Sequence, residues 1–263
     1  MASKTALWAT EASDLEVGLA PTRGVLTVRA ALFAQRAGLL DIIDGERIDV
    51  MAADVLARYG SGGRAGEQRG PHHVGAFEET TDREPRDLFE LHVFGPARLT
   101  RALLPQMRER GEGSVVNVSS IGGQLSFAGF SAYSATKAAL EQLSEGLADE
   151  VAPFRIKVLI VEPGAFRTNL FGKGTAYFSE ENPAYVENVG ATRQTVQGGD
   201  GSQPGDPAKA AAAIRRALDA EKTLLRLALG GDAVDLLTAH LDAVRTELTE
   251  WEEVSRGTDF DTE

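Results

Sequence analysis

Cysteine is absent from the chain, which excludes disulfides and any Cys-ligated metal. Cationic residues are scarce: 27 Lys and Arg stand against 39 Asp and Glu, a formal net charge of −12. That balance argues against nucleic acid as a partner, because phosphate backbones are held by excess positive charge. No apolar run reaches the length of a membrane span, and the amino end lacks a basic segment followed by an apolar one. The expectation is a cytoplasmic protein with neither a membrane nor a nucleic-acid partner. What is present is ample apolar content, 43% of the residues, enough for a sizeable core. A length of 263 residues suits one α/β domain over 1–263.

The most informative stretch is SVVNVSSIGGQLSFAGFSAYSATK, from Ser114 to Lys137. Ser114–Ser119 is β-rich and predicts a buried strand, with Ser120 at its end. Tyr133 and Lys137 open an amphipathic run, YSATKAALEQLSEGLADEV. Residues at i and i+4 share one helix face, so the phenol and the ammonium point into the same space. A strand ending in a hydroxyl, a glycine-bearing loop and a helix carrying Tyr and Lys place three polar groups at the carboxyl edge of a parallel sheet. Such edges are where parallel sheets bind ligands.

Pro163-Gly164 follows the apolar run KVLIVE, with Thr168 four residues after the glycine. These residues together resemble the short-chain dehydrogenase/reductase family. Its pattern is N-[V/I]-S-S, about a dozen residues, then Y-x-x-x-K, and later P-G-x-x-x-T. The match is close over Gly75–Leu170 and loose on the flanks. It implies a Rossmann-like, doubly wound parallel sheet with helices on both faces. It also implies hydride transfer between a nicotinamide cofactor and a small-molecule carbonyl or alcohol. On the family's pattern Tyr133 is the general acid and Ser120 polarises the carbonyl. Lys137 stabilises the phenolate, lowering a titration that in a free tyrosine lies near about 10. Lys137 also bonds the nicotinamide ribose, with Tyr133 beside it. Pro163, Gly164 and Thr168 frame the carboxamide. His92 stands where the family has an asparagine that holds a proton-relay water; it serves as a relay or as a packing residue. Family members form homodimers or homotetramers, often through the helices that include Asp82–Glu109 and Tyr133–Val151.

The amino-terminal third departs from the family and reads as irregular or truncated. Thr5–Thr10 and Arg23–Arg29 predict strands, Ala30–Ile43 a helix and Arg47–Val55 a further strand. Where the family has the phosphate-binding turn TGxxxGxG, the chain reads Thr10-Glu11-Ala12-Ser13-Asp14-Leu15-Glu16. Acids replace the glycines, filling the space of a pyrophosphate and repelling its charge; a solvated acidic loop is the other reading. Arg29 at a strand end resembles members that prefer NADP, with NAD the alternative cofactor; a surface arginine is the other reading. Asp54 and Val55 correspond to the adenine contacts. Only five residues separate Val55 from Ser61, too few for a crossover between parallel strands.

Ser61–Gly70, SGGRAGEQRG, occupies the place of a buried central strand ending in NNAG, of which only Gly70 remains. Its codons can be chosen so that the same bases, read from the second one, encode RVDVLVNNAG, the family pattern. A pair of compensating frameshifts bracketing Ser61–Gly70 accounts for this; an unrelated loop is the alternative.

Downstream, Asp82–Glu109 predicts a long helix kinked at Gly95-Pro96. Residues 171–204 correspond to the family's substrate lid, with Tyr177, Phe178 and Tyr185 lining a pocket or packing the lid down. Asp206 caps a predicted helix to Leu218. Leu224–Gly230 predicts a strand, Asp232–Val254 a helix and 255–263 a loose tail. His72 and His73 read as adjacent loop residues without metal-ligand spacing, so no metal is expected. Loss of the phosphate turn and of NNAG also supports another class of function, a binding or regulatory protein that keeps the fold without the cofactor. An unstable product of a damaged gene is a third reading.

Overall fold

The computed structural model describes residues 5–9, 25–29, 72–168, 176–199 and 201–260. Five parallel strands form the main sheet: β1 (Thr5–Ala9), β2 (Val25–Arg29), β4 (Gly113–Val118), β5 (Ile156–Pro163) and β7 (Arg226–Leu229). Their spatial order is β2-β1-β4-β5-β7, with Val116 opposite Leu159 and Val161 opposite Leu227. Two further short strands, β3 (His72–Val74) and β6 (Ala176–Phe178), pair in parallel beside it. His72 and His73, expected on a loop, are thus strand residues. Three residues with no β-branched pair carry too little periodicity to announce a strand; β6 supplies the pairing.

The sheet is covered on both faces, which is why its central strands are near-continuous apolar runs. Val115 and Val158 pack with Leu103 and Met107 of one helix and Leu147 and Val151 of another. These helices are α2 (Gly95–Arg110) and α3 (Ser131–Val151). Their neighbours in the strands, Val116, Leu159 and Val161, point the other way, onto Ala210, Ile214 and Leu218 of α5 (Pro207–Asp219). Each such buried side chain contributes about 1.5–3 kcal/mol. This alternation is the doubly wound layering expected from the family pattern.

The long helix predicted over Asp82–Glu109 is realised in three parts. They are α1 (Arg83–Phe89), a π-turn over Glu90–Phe94, and α2. The π-turn falls just before Gly95-Pro96, where a proline's missing N–H relaxes the ladder. Asp206 accepts a hydrogen bond from the backbone N–H of Ala208 at 2.8 Å and starts α5 as its N-cap. The expected carboxy-terminal helix runs as α6 (Gly231–Glu250) and α7 (Glu252–Arg256), broken at Trp251.

The expected lid contains α4 (Val186–Gly198) as well as β6. Among the described residues β1 hydrogen-bonds directly to β4, with Ala6 opposite Val115, and no strand stands between them. The helix expected over 30–43, the strand over 47–55 and the segment Ser61–Gly70 lie outside the described residues.

Candidate active site

Ser120 owes its place to the end of β4. The N–H of Ser119 bonds the carbonyl of Val161 at 2.7 Å, so the strand stays paired with β5 to its last residue. Ser120 then turns the chain, extended at φ −162, and its Oγ accepts from the N–H of Gly122 at 3.1 Å. That bond uses a lone pair of the hydroxyl and leaves its O–H to donate.

One face of α3 runs along this strand end. Tyr133, Lys137, Glu141 and Ser144 recur at the helical period and are all buried. Lys137 is 0% exposed; its Nζ donates to the carbonyl of Val118 at 3.3 Å and lies 5.5 Å from the centroid of the Tyr133 ring. Tyr133 is 5% exposed. Gly122 marks where Ser120 and Tyr133 converge: a Cβ there would lie 3.2 Å from the ring of Tyr133 and 3.5 Å from Ser120 Oγ. The structure therefore brings the three motif residues to one place.

Among the described residues, the rings of His72, Phe130 and His92 pack against the phenol. His72 packs at a centroid distance of 4.9 Å, Phe130 at 5.8 Å, and His92 stands edge-on at 5.6 Å. His92 is fully buried in the π-turn, and its Nδ1 is 2.8 Å from Thr136 Oγ1. That hydroxyl donates to the carbonyl of Tyr133 at 2.7 Å. With its one hydrogen committed, Thr136 accepts from His92, which fixes the imidazole as the Nδ1–H tautomer.

Pro163 closes β5, and the N–H of Gly164 bonds the carbonyl of Leu229 at 2.9 Å. Asp232, at the start of α6, accepts from the N–H of Ala165 at 2.7 Å. Its carboxylate lies where a Cβ on Gly164 would be, so only glycine passes there. Thr168 follows in the same loop, its N–H bonded to the carbonyl of Phe166 at 2.9 Å. Arg29 ends β2 opposite Ala9. Asp54, Val55 and Gly70 lie outside the described residues. For a nicotinamide group the described half fits: hydroxyl, phenol and buried ammonium converge on a side-chain-free glycine.

Sequence reasoning passed over two buried carboxyls behind the site. Ser119 Oγ donates to Glu141 at 2.5 Å, and Gln124 Nε2 donates to Glu162 at 2.6 Å. Burial pushes the Glu141 carboxyl up to about 7, and the charge of Glu162 adds to this, against the hydrogen bond from Ser119 and the charge of Arg226. A signal existed: Glu141 recurs one turn past Lys137 on the face that the motif buries.

The segment expected to be a lid docks on the chain after β3. Arg193 of α4 donates to Glu79 at 2.7 Å and to the carbonyl of Ser179 at 3.1 Å. Tyr177 stacks on His73 at 5.9 Å, and the Tyr185 hydroxyl bonds Glu78. Tyr177 and Tyr185 therefore fasten this segment to the chain around β3. Among the described residues no cluster could hold a metal ion, and no helix is long and apolar enough to cross a membrane.

Residues 38–176 match the family model of the short chain dehydrogenases. The chain belongs to that family. A solved short-chain dehydrogenase from Streptomyces avermitilis is 68% identical, covering 99% of this chain and 100% of its own, with a TM-score of 0.78. The oxidoreductase BOA17 of Botryotinia fuckeliana is 32% identical over 166 residues, 63% of this chain and 60% of that protein. Across eight curated relatives the chain spans between 40% and 72% of their length. A short-chain dehydrogenase from Sphingobium yanoikuyae, solved with NADPH, is 23% identical over 94% of this chain and 95% of its own (TM-score 0.57) and shares the fold. The family is one of oxidoreductases, so an oxidoreductase fold and ancestry are established for this chain.

Proposed function

We propose that this protein transfers a hydride between NADP(H) and a small carbonyl or alcohol, through Ser120, Tyr133 and Lys137. The observation that carries this reading is the convergence of Ser120 and Tyr133 on Gly122, with the Lys137 ammonium 5.5 Å from the ring. The cofactor would supply the hydride in its reduced form and take it up in its oxidised form. Everything else falls to the chain's own groups. The Ser120 O–H donates to the substrate oxygen and polarises the carbonyl. Tyr133 gives its phenolic proton as that oxygen becomes an alkoxide, and Lys137 stabilises the phenolate left behind. A buried ammonium is expensive without such work to do, and its placement beside a phenol supports the role. Pro163, Gly164 and Thr168 would hold the carboxamide edge, and Lys137 the ribose hydroxyls. Arg29, Asp54, Val55 and Gly70 would complete the nucleotide contacts. His92 would relay a proton from Lys137 through water at the π-turn, where backbone groups leave the helical ladder. Residues 171–204 would close over the substrate within a single domain, and a cytoplasmic homodimer or homotetramer is the working form.

Replacing Tyr133 by Phe tests the chemistry: carbonyl reduction with NADPH should fall by about 10²-fold or more, while retained turnover refutes the acid role.

One observation favours a second reading, a fold that no longer binds nucleotide. β1 pairs directly with β4, where the family pattern implies a central strand ending in NNAG. Titration with NADPH, followed by nicotinamide fluorescence, separates the two: saturable enhancement supports the enzyme and none supports the binding protein.

A further inference from the structure

Behind Ser120 the loop is fastened at both ends to carboxyls the mechanism does not use. Ser119 donates to Glu141 at 2.5 Å, and Gln124 donates to Glu162 at 2.6 Å. Between them Gly123 crosses so close to Glu141 that a Cβ would overlap its carboxylate. Glu141 sits on α3, and Glu162 stands immediately before Pro163 on β5. The two are 1% and 2% exposed, and both lie against the guanidinium of Arg226. The pair therefore ties the loop that carries Ser120 to the loop that carries Gly164.

Among the described residues the charges around them do not balance. Arg226 of β7 reaches both, its Nε 3.5 Å from Glu141 and 3.4 Å from Glu162. Its Nη2 is committed to Glu145 at 2.7 Å, so one guanidinium serves three carboxylates. Lys137, one turn before Glu141, directs its Nζ to Val118 and the Tyr133 ring. From α6, Asp232 bonds Ala165. The remaining groups facing the pair, Ser119 and Gln124, are neutral. Two buried carboxylates beside one guanidinium cannot both form cheaply, and burial favours the protonated form of Glu141.

We propose that Glu141 and Glu162 are positioning residues that hold the Ser120 loop while Glu141 keeps its proton. When that proton leaves, the carboxylates repel, the hydrogen bonds to Ser119 and Gln124 reorganise, and Ser120 moves from its place beside Tyr133. The elevated titration of Glu141, about 7, sets where this happens. The inference rests on the reading of Ser120 as a catalytic hydroxyl.

Two measurements keep that reading and this one apart. Amide hydrogen exchange of the peptide spanning 114–130 reports the loop without any turnover. Between about pH 6 and about pH 8.5, wild-type protection should fall about tenfold beyond the intrinsic chemical change, because the Glu141 proton leaves in that window. In Glu141→Gln, which cannot ionise, protection should stay level. In steady-state reduction with NADPH, kcat of the wild type should drop about tenfold over the same window through misplacement of Ser120. In Glu141→Gln that drop should vanish, with KM and NADPH affinity unchanged. The Tyr133 contribution to the profile is common to both proteins. Where Glu141→Gln does not fold, Glu162→Gln removes the same repulsion from the other side. Identical pH profiles of exchange in wild type and variant would overturn the proposal. A wild type that reduces no carbonyl overturns the proposed function instead, and exchange then decides the pair alone.

Discussion

Gly164 and Asp232 are fitted to each other: the carboxylate occupies the space of a Cβ on Gly164 while accepting from the N–H of Ala165 at 2.7 Å. Gly164→Ala should therefore push the aspartate off Ala165 and shift the loop, an overpacking cost of about 1–3 kcal/mol. If that cost falls on the cofactor, NADPH affinity drops by about 5- to 100-fold in a fluorescence titration. Asp232→Ala in the same chain should recover part of the loss, because the two sites share one contact. Additive losses would show that the steric fit is not what matters.

Glu141 makes stability depend on pH with a definite sign. Its unfolded value is 4.5 and its folded value about 7, so between the two the folded chain holds a proton that the unfolded chain has released. Stability is greatest below that window and declines as pH rises through it, by about 3 kcal/mol in all. Glu79 works in the opposite sense: burial alone would raise it, but N–H bonds from Asn182 and Ala76 and the charge of Arg193 hold it below 4.5. Urea unfolding at stepped pH isolates the Glu141 part as the difference between wild type and Glu141→Gln. A constant difference would contradict the assignment.

Thr136 is the acceptor for the buried Nδ1 of His92. Thr136→Val keeps the shape and removes that acceptor, and should cost about 1–3 kcal/mol in a denaturant melt. NADPH-dependent turnover should fall with it, since the ring that stands edge-on to Tyr133 loses its anchor.

Arg193 of α4 links its helix to Glu79 through a pair whose side chains are almost wholly buried. Arg193→Ala leaves that carboxylate without its guanidinium, and removal of one partner of a buried pair costs about 3–5 kcal/mol. Limited proteolysis should then cleave within 176–199 well before the rest of the chain. Double replacement with Glu79→Gln should restore part of the resistance.

Most of the carboxy-terminal two thirds was legible in the sequence for a physical reason. Gly113–Val118 and Ile156–Pro163 are buried on both faces, so they are apolar throughout, and Tyr133 and Lys137 share a helix face whatever lies around them. Asp206 announces its helix by local chemistry alone. What stayed hidden is tertiary. Glu162 meets Glu141 and Arg226 only after three elements pack together, and His72 becomes a strand residue only through β6. The π-turn was visible as a kink at Gly95-Pro96, but its extra residue was not. For Ser61–Gly70 the shifted frame makes a direct prediction: the gene's codons there, read from the second base, spell RVDVLVNNAG. A codon choice incompatible with that reading ends the idea.

The two valines at the centre of β4 are interchangeable in size and polarity, one turned to α2 and α3, the other to α5. Greasy residues alone could not tell this strand which way up to lie. The marks that can are Asn117, bonded to Ser144 at 2.8 Å, and Ser119, bonded to Glu141. Both fall on the α3 side, two apart, like notches on a ruler. Slide the strand by one residue and both notches face α5, with the serine hydroxyl after them turned away from the tyrosine. The facing of the Ser120 hydroxyl is thus written into two polar side chains that bond only to α3 among the described residues.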